Sequence, residues 1–193
     1  MIKKTLVGII FLCCGFASNA ATIYLPDPRP IGSDIYQISK DNVAALSNLK
    51  ESDTTYKLVL EKSESSNNDY FMCRGWFPLH ANGNMPFDNY IVNAMKSEME
   101  AAGFYSADSS KTIKLRLEKI DYENMINARW KLQLKIEFDD ANQLLVDDEY
   151  AFSGHFIATN ACERTATAFM PAVQSLLNKL YSSTEFISAL GKQ

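Results

Sequence analysis

The chain has 193 residues, with 19 basic against 23 acidic side chains and two histidines. That length suits one domain with a substantial core, and the slight acidity excludes a general nucleic-acid binder, which needs clustered positive charge. Eight scattered glycines exclude a Gly-rich, phosphate-cradling loop.

The N-terminus reads MIKKTLVGIIFLCCGFASNA. Lys3 and Lys4 open it, an uncharged stretch follows from Leu6 to Phe16, and Ser18 and Ala20 stand three and one before a cut. This is the layout of a secretory signal peptide over residues 1–20. The apolar stretch is shorter than the about 20 residues of a bilayer-spanning helix. Cleavage after Ala20 is expected to release a soluble periplasmic chain, 21–193. It removes Lys3 and Lys4 and no acid, which leaves 17 basic against 23 acidic groups. Cys13 and Cys14 keep a lipid-anchored form open, although Leu12 and Cys13 depart from the small residue that lipoprotein processing wants before its cysteine. Membrane association is expected only if Cys14 is lipidated.

Cys73 and Cys162 are the only cysteines beyond the signal segment. An even count in an exported chain predicts a disulfide between them. It would close a loop of about 90 residues and contribute about 2–4 kcal/mol.

Residues 21–55 begin with Pro26, Pro28 and Pro30, which fix φ and remove backbone donors. They read as an extended N-terminal arm, with one helical turn near 41–48 capped by Asp41. A single α+β domain is expected over 56–193. Tyr56, Leu58 and Leu60 alternate with polar residues and predict a strand over 56–62. A polar turn follows at 63–69, and 70–77 returns as the second arm of an antiparallel hairpin carrying Cys73. Residues 80–86 form a loop with Asn82-Gly83 as its turn signal.

The clearest helix spans 87–102, where Phe87, Ile91, Ala94, Met95, Met99 and Ala102 recur at spacings of three and four. Gly103 stops it. Strict alternation predicts strands over 113–118 and 130–138. After a turn at 139–142, residues 143–157 return as a strand, bent by a bulge at Asp148. The last long element is a helix over 160–181, with an apolar stripe through Cys162, Phe169, Val173 and Leu180 and a cap at Thr159 or Asn160. Pro171 interrupts its hydrogen bonding, and the unbroken stripe favours a kink over two separate helices. A short turn over 185–190 ends the chain. The order β-β-α-β-β-β-α predicts an antiparallel sheet of about five strands with two main helices on one face.

Three stretches, CRGWFP (73–78), FDNYIVNAMKSEMEAAGFY (87–105) and NACERTATAFMPAVQSLLNKLYSSTEF (160–186), together resemble small envelope proteins of Gram-negative bacteria, many of them lipoproteins. The layout is loosely similar to ABC-transport auxiliary and lipopolysaccharide-assembly accessory lipoproteins. That resemblance implies helices on an antiparallel sheet and a role in scaffolding or docking, with an envelope protein or protein complex as partner. It assigns no functional residue.

No catalytic or metal site is expected. His80 and His155 are 75 positions apart and share no ligand spacing with the cysteines. No G-x-S-x-G occurs, and disulfide pairing removes Cys73 as a nucleophile for His80. The acidic runs Asp139-Asp140 and Asp147-Asp148-Glu149 lack EF-hand spacing and read as solvated turns that protect a strand edge. Trp76 and Phe77, beside Pro78 and a loop, are the candidate binding surface. No cofactor is implied. The expectation is a non-enzymatic exported protein acting by protein contact, accessory to envelope transport or assembly. A periplasmic immunity or inhibitor protein against a secreted toxin, and a small lipid-binding protein, are the alternatives.

Overall fold

The computed structural model describes residues 29–49, 54–63, 69–140 and 142–191. Residues 1–20, read as a signal peptide, with Cys13 and Cys14, lie outside them.

Alternation between 130 and 138 forces every second side chain to one face of a strand. The structure places Trp130, Leu132, Leu134, Ile136 and Phe138 in the core and leaves their neighbours on the opposite face, in β6 (Arg129–Phe138). β6 pairs antiparallel with β5 (Thr112–Glu123) and β7 (Gln143–Ala151). β2 (Lys57–Leu60) joins β5 in parallel, so the sheet runs β2-β5-β6-β7. Helices α2 (Phe87–Ala101) and α4 (Phe169–Tyr181) cover one face. On the other, ion pairs such as Lys114–Glu137 (3.6 Å), Arg129–Glu149 (3.0 Å) and Lys131–Glu123 (2.5 Å) lie in water.

The expected single antiparallel sheet is replaced by two mixed sheets. The second has three strands in the order β1-β4-β3, from β1 (Ile31–Gly32), β3 (Phe71–Cys73) and β4 (Phe77–His80). β1 runs parallel to β4, and β3 antiparallel to it. The hairpin expected between 56–62 and 70–77 does not form. Residues 70–77 fold back on themselves instead, because Arg74 (φ 54°) and Gly75 (φ 72°) both take left-handed angles. The Trp76 N–H then donates to the Cys73 carbonyl at 3.2 Å. Successive positive φ values give a turn whose twist matches that of the flanking strands. The element order is therefore β-α-β-β-β-α-β-β-β-α-α-α.

The described part of the expected arm is built into the domain. β1 extends the small sheet, and α1 (Lys40–Ser47) packs on α4 and α2 with Leu46 fully buried. Ser39, not Asp41, caps α1: its hydroxyl accepts the Asn42 N–H at 3.3 Å. Asp41 sits in the first turn, where a carboxylate meets the positive end of the helix dipole. Asn42 donates to both Glu98 oxygens at 3.1 Å and to the Gln174 carbonyl at 3.0 Å. Gln174 Nε2 donates to the Gln37 carbonyl at 2.7 Å, and Asn178 Nδ2 to Asn42 Oδ1 at 3.0 Å.

The expected bulge at Asp148 is absent, and Asp148 pairs with Leu132 in continuous register. The irregularity lies in β5, where Leu117 faces Leu134 but Lys119 faces Gln133. Glu118 is the extra residue, and it moves the inward positions from Ile113, Leu115 and Leu117 to Ile120 and Tyr122. A bulge keeps the apolar face inward when the sequence period slips by one.

The strand after residue 142 ends at Ala151 rather than 157. The helix expected over 160–181 is two helices, α3 (Ala158–Thr167) and α4, divided at Ala168, whose φ and ψ of −73° and −12° remain right-handed. The stripe continues across the break, and Pro171 falls in the first turn of α4, where a missing N–H leaves no intrahelical bond unmade. α3 has no side-chain cap and begins after Ile157. α5 (Thr184–Gly191) closes the chain, with Phe186 buried against Phe138 and Tyr181.

Both sheets meet the helices at an aromatic cluster. Phe71 of β3 stands 5.8 Å from Tyr122 and 6.5 Å from Trp130, and Phe169 of α4 lies 4.9 Å from Trp130 and 4.8 Å from Phe87. Ring pairs at these separations add to the burial of large apolar area.

Candidate functional site

Cys73 ends β3 and Cys162 lies in the second turn of α3; a disulfide joins them with S–S 2.04 Å and Cα–Cα 5.9 Å. Both are fully buried. The bond staples α3 to the small sheet. Asn124, at the end of β5, donates to Cys73 Sγ at 3.1 Å.

Arg74 ties three loops together at this end. Its Nε donates to Asn124 Oδ1 at 3.0 Å, and its Nη2 to the His155 carbonyl at 3.2 Å. The turn after β3, the β5–β6 turn and the segment after β7 are thereby held side by side. The Phe152 N–H donates to the Ala128 carbonyl at 2.9 Å. Gly154 lies so close to the β5–β6 turn that a Cβ there would stand 1.9 Å from the Met125 carbonyl oxygen. Arg164 of α3 donates to the Gly154 carbonyl at 3.2 Å.

The residues beside these bonded positions are apolar and exposed: Trp76 at 57%, Met125 at 50%, Ile126 at 69%, Phe156 at 73% and Ile157 at 59%. Exposed large apolar residues gathered on neighbouring loops make this end a candidate contact surface. The two sequence candidates separate here. Trp76 projects from the turn, whereas Phe77 turns inward and packs on the core. Met125-Ile126 and Phe156-Ile157 were missed by sequence reasoning. The first pair was a legible signal, two large apolar residues between strands; the second was hidden inside the strand expected to continue to 157.

Two grooves flank the segment after β7. One of about 660 Å³ is lined by Asn127, Arg129, Glu149 and Ser153 among others. The second, about 370 Å³, runs between Tyr150, Phe152, Arg164 and Pro171. Charged and polar groups dominate the walls of the first, whereas the second is walled by Tyr150, Phe152, Ala168 and Pro171 beside Arg164 and Thr167.

His155 does not form a dyad with Ser153; its Nδ1 accepts the Ile157 N–H at 3.0 Å and fixes the backbone entering α3. His80 stacks on Tyr70 at 5.5 Å, far along β4 from the Arg74 turn. Among the described residues, no three His, Cys, Asp or Glu side chains gather as a metal site would require.

Among the described residues, one carboxylate is fully buried. Glu98 Oε1 accepts the Tyr36 hydroxyl at 2.5 Å, the Ser39 N–H at 3.2 Å and Asn42. Burial raises its pKa, and these donors partly offset the rise. Burial and the neighbouring carboxylate hold the Tyr36 and Tyr181 hydroxyls well above their ordinary range. The Tyr181 hydroxyl lies beside Glu98 without an aligned bond to it. The cluster is closed to solvent, and its chemistry is that of a strap joining residues 36–42 to α2 and α4.

Neither a family model nor a curated protein matches the sequence. Among solved structures, the chain is similar to a Xanthomonas campestris protein of the DUF330 family: 11% identity, 87% of this chain and 97% of that one, TM-score 0.54. A minor lipoprotein from Acinetobacter baumannii aligns with 11% identity over 65% of this chain and 92% of its own, with a TM-score of 0.32 that carries no argument. What the Xanthomonas protein shares with this chain is its fold.

Proposed function

We propose that this is an exported, non-enzymatic protein of the Gram-negative envelope that works by contact, as an accessory to a transport or assembly system there. The observation that carries the reading is the rigid apolar end. Five exposed apolar residues on three loops are locked in place by a disulfide and by Arg74, so little ordering entropy opposes their contact with another surface. The signal-peptide layout of residues 1–20 supports export, and a disulfide is at home in an oxidising compartment. Among the described residues, Cys73 and Cys162 are held in a disulfide and the His155 Nδ1 caps the backbone entering α3, which supports a role without catalysis.

Cell fractionation with cross-linking in living cells tests it. The expected result is a processed N-terminus and a cross-linked product in the envelope fraction that disappears when Ile126 and Phe156 become serine. Recovery in the cytoplasm with residues 1–20 attached, or as a lone species in every fraction, overturns it.

A further inference from the structure

The loop end is one contact surface, and the edge of the large sheet is a second. We propose that β7 takes an added strand from a partner protein: an extended segment that brings a lysine or arginine to Asp148 and apolar side chains, two and four residues along, to Tyr150 and Phe152. The site is separate from the loop end and does not depend on what meets that end.

β7 is the last strand in the order β2-β5-β6-β7, and among the described residues no strand lies on its outer side. Arg129 faces Ala151, so Phe152 stands opposite Ala128, and its N–H donates to the Ala128 carbonyl at 2.9 Å. Bonding alternates along an antiparallel pair. Phe152, Tyr150 and Asp148 therefore direct their N–H and C=O groups to β6, while Glu149 and Ala151, both exposed, direct theirs outward. The Asp147 carbonyl, on the same outer side, accepts Lys179 Nζ, which closes the edge before Glu149. Outward N–H and C=O groups in a row are a template for another strand.

Asp148, Tyr150 and Phe152 alternate on the face that looks toward the helices, with Asp148 opposite the buried Leu132. The Asp148 Oδ2 is buried and has no hydrogen-bond partner. Lys179, the cation of α4 that reaches β7, goes to the Asp147 carbonyl instead. A buried carboxylate oxygen without a donor costs free energy that an incoming cation recovers. Further along the same face, Tyr150 and Phe152 line the groove of about 370 Å³, with Ala168 and Pro171 on its other wall. Ala151 and Ser153 line it as well, so outward backbone groups border the groove. An added strand places alternate side chains on this face: one opposite Asp148, the next two opposite Tyr150 and Phe152.

Charge selects the occupant. On its water-facing side β7 carries Asp147 and Glu149; Arg129 holds Glu149 at 3.0 Å, whereas the Asp147 carboxylate accepts the neutral Gln133 amide at 2.5 Å. A second copy is disfavoured. Pairing two β7 strands about their midpoint sets Asp147 opposite Asp147, and like charges directly opposite destabilise a sheet. A basic strand meets the same acids as partners. The acids that guard this edge against self-association therefore fit it to a cationic segment of another protein.

Selection of phage-displayed random peptides on the full exported chain tests this. Enriched peptides are expected to carry Lys or Arg two residues from an apolar side chain, in either direction. A synthetic peptide of the enriched sequence slows hydrogen exchange at the Glu149 and Ala151 amides and leaves the β5–β6 turn unchanged. Asp148→Asn, which keeps the shape and removes the charge, weakens its binding by about tenfold or more. Ala151→Pro removes an outward donor that β6 does not use and weakens binding likewise, while the circular dichroism of both variants matches wild type. Failure to enrich any peptide, enrichment without a basic residue, or binding that leaves the Glu149 and Ala151 amides unprotected overturns the proposal. So does full affinity in Asp148→Asn, a result that stands even if Ala151→Pro fails to fold. A concentration-dependent dimer that Ala151→Pro abolishes assigns the edge to a second copy and overturns it as well. None of these results touches the loop end, whose cross-link at Ile126 and Phe156 is read separately.

Discussion

Trp130 of β6 donates its indole N–H to the Thr165 carbonyl at 2.8 Å, one turn before the break that divides α3 from α4. The Thr165 hydroxyl is itself turned back to the Ala161 carbonyl at 2.7 Å. The large sheet therefore grips the C-terminal helices where they are interrupted. Trp130→Phe keeps the ring stacking against Phe87 and Phe169 but shrinks the side chain and removes a buried donor. We expect a loss of about 2–4 kcal/mol, read as a fall of about 5–15 °C in the thermal transition. A change below 2 °C would show that the carbonyl finds another partner.

Removing the disulfide acts on the unfolded chain as much as on the folded one. Cys73→Ser with Cys162→Ser frees a loop closed over a separation of 89 residues, at about 2–4 kcal/mol. Calorimetry of the double variant is expected to match that of reduced wild type. The Asn124 amide also loses its sulfur acceptor, so the β5–β6 turn should become the first site of limited proteolysis.

Glu98 gives a pH dependence of unusual sign. Burial lifts its folded pKa above the ordinary 4.5. Between 4.5 and the lifted value the folded chain binds more protons than the unfolded one, so this group makes stability fall as pH rises through that window. Its contribution is fully present below 4.5. Glu98→Gln removes the titration. Wild-type minus variant stability, from denaturant melts at successive pH values, should decline from pH 4.5 upward; a flat or rising difference refutes it. Glu98→Ala leaves the Tyr36 hydroxyl, the Ser39 N–H and the Asn42 amide without this acceptor, at about 1–3 kcal/mol for each buried group.

Two glycines separate steric need from conformational need. Gly154→Ala sets a Cβ against backbone, 1.9 Å from the Met125 oxygen and 2.9 Å from its carbon. The segment after β7 must move off the β5–β6 turn, at about 3 kcal/mol. Gly75 has a φ of 72° with open space around it, so Gly75→Ala meets only the left-handed penalty of about 1–2 kcal/mol. Thermal melts should rank Gly154→Ala as clearly the more damaging.

Elements that are long and bury one face were legible. β6 alternates through five core residues, and α2 repeats its apolar positions from Phe87 to Met99. The pairing of Cys73 with Cys162 needed no geometry, because no third cysteine follows residue 20. Short elements were not legible. Lys57–Leu60 looks the same whether its partner is β3 or β5, and only packing over α2 selects the parallel choice. Arg74 hid the β3–β4 turn, since arginine rarely takes positive φ. The bulge at Glu118 was written in the sequence as a shift of apolar residues from odd to even positions; the charged Asp148 drew attention elsewhere. At the apolar end only Trp76 was found. Its companions come from distant segments, and hydrogen bonds from Arg74 bring them together.

The bonds from Asn42 to Gln174, from Gln174 to Gln37 and from Asn178 to Asn42 span 132 to 137 positions. A polypeptide knotted together by its first and last quarters ripens all at once. No fragment cut from either side retains a finished core, and pairings this distant form slowly because the intervening chain must be gathered first. Until α4 has been made and laid down, every nascent copy shows its greasy interior to proteases and to its siblings. Folding of this chain is therefore expected to wait on α4.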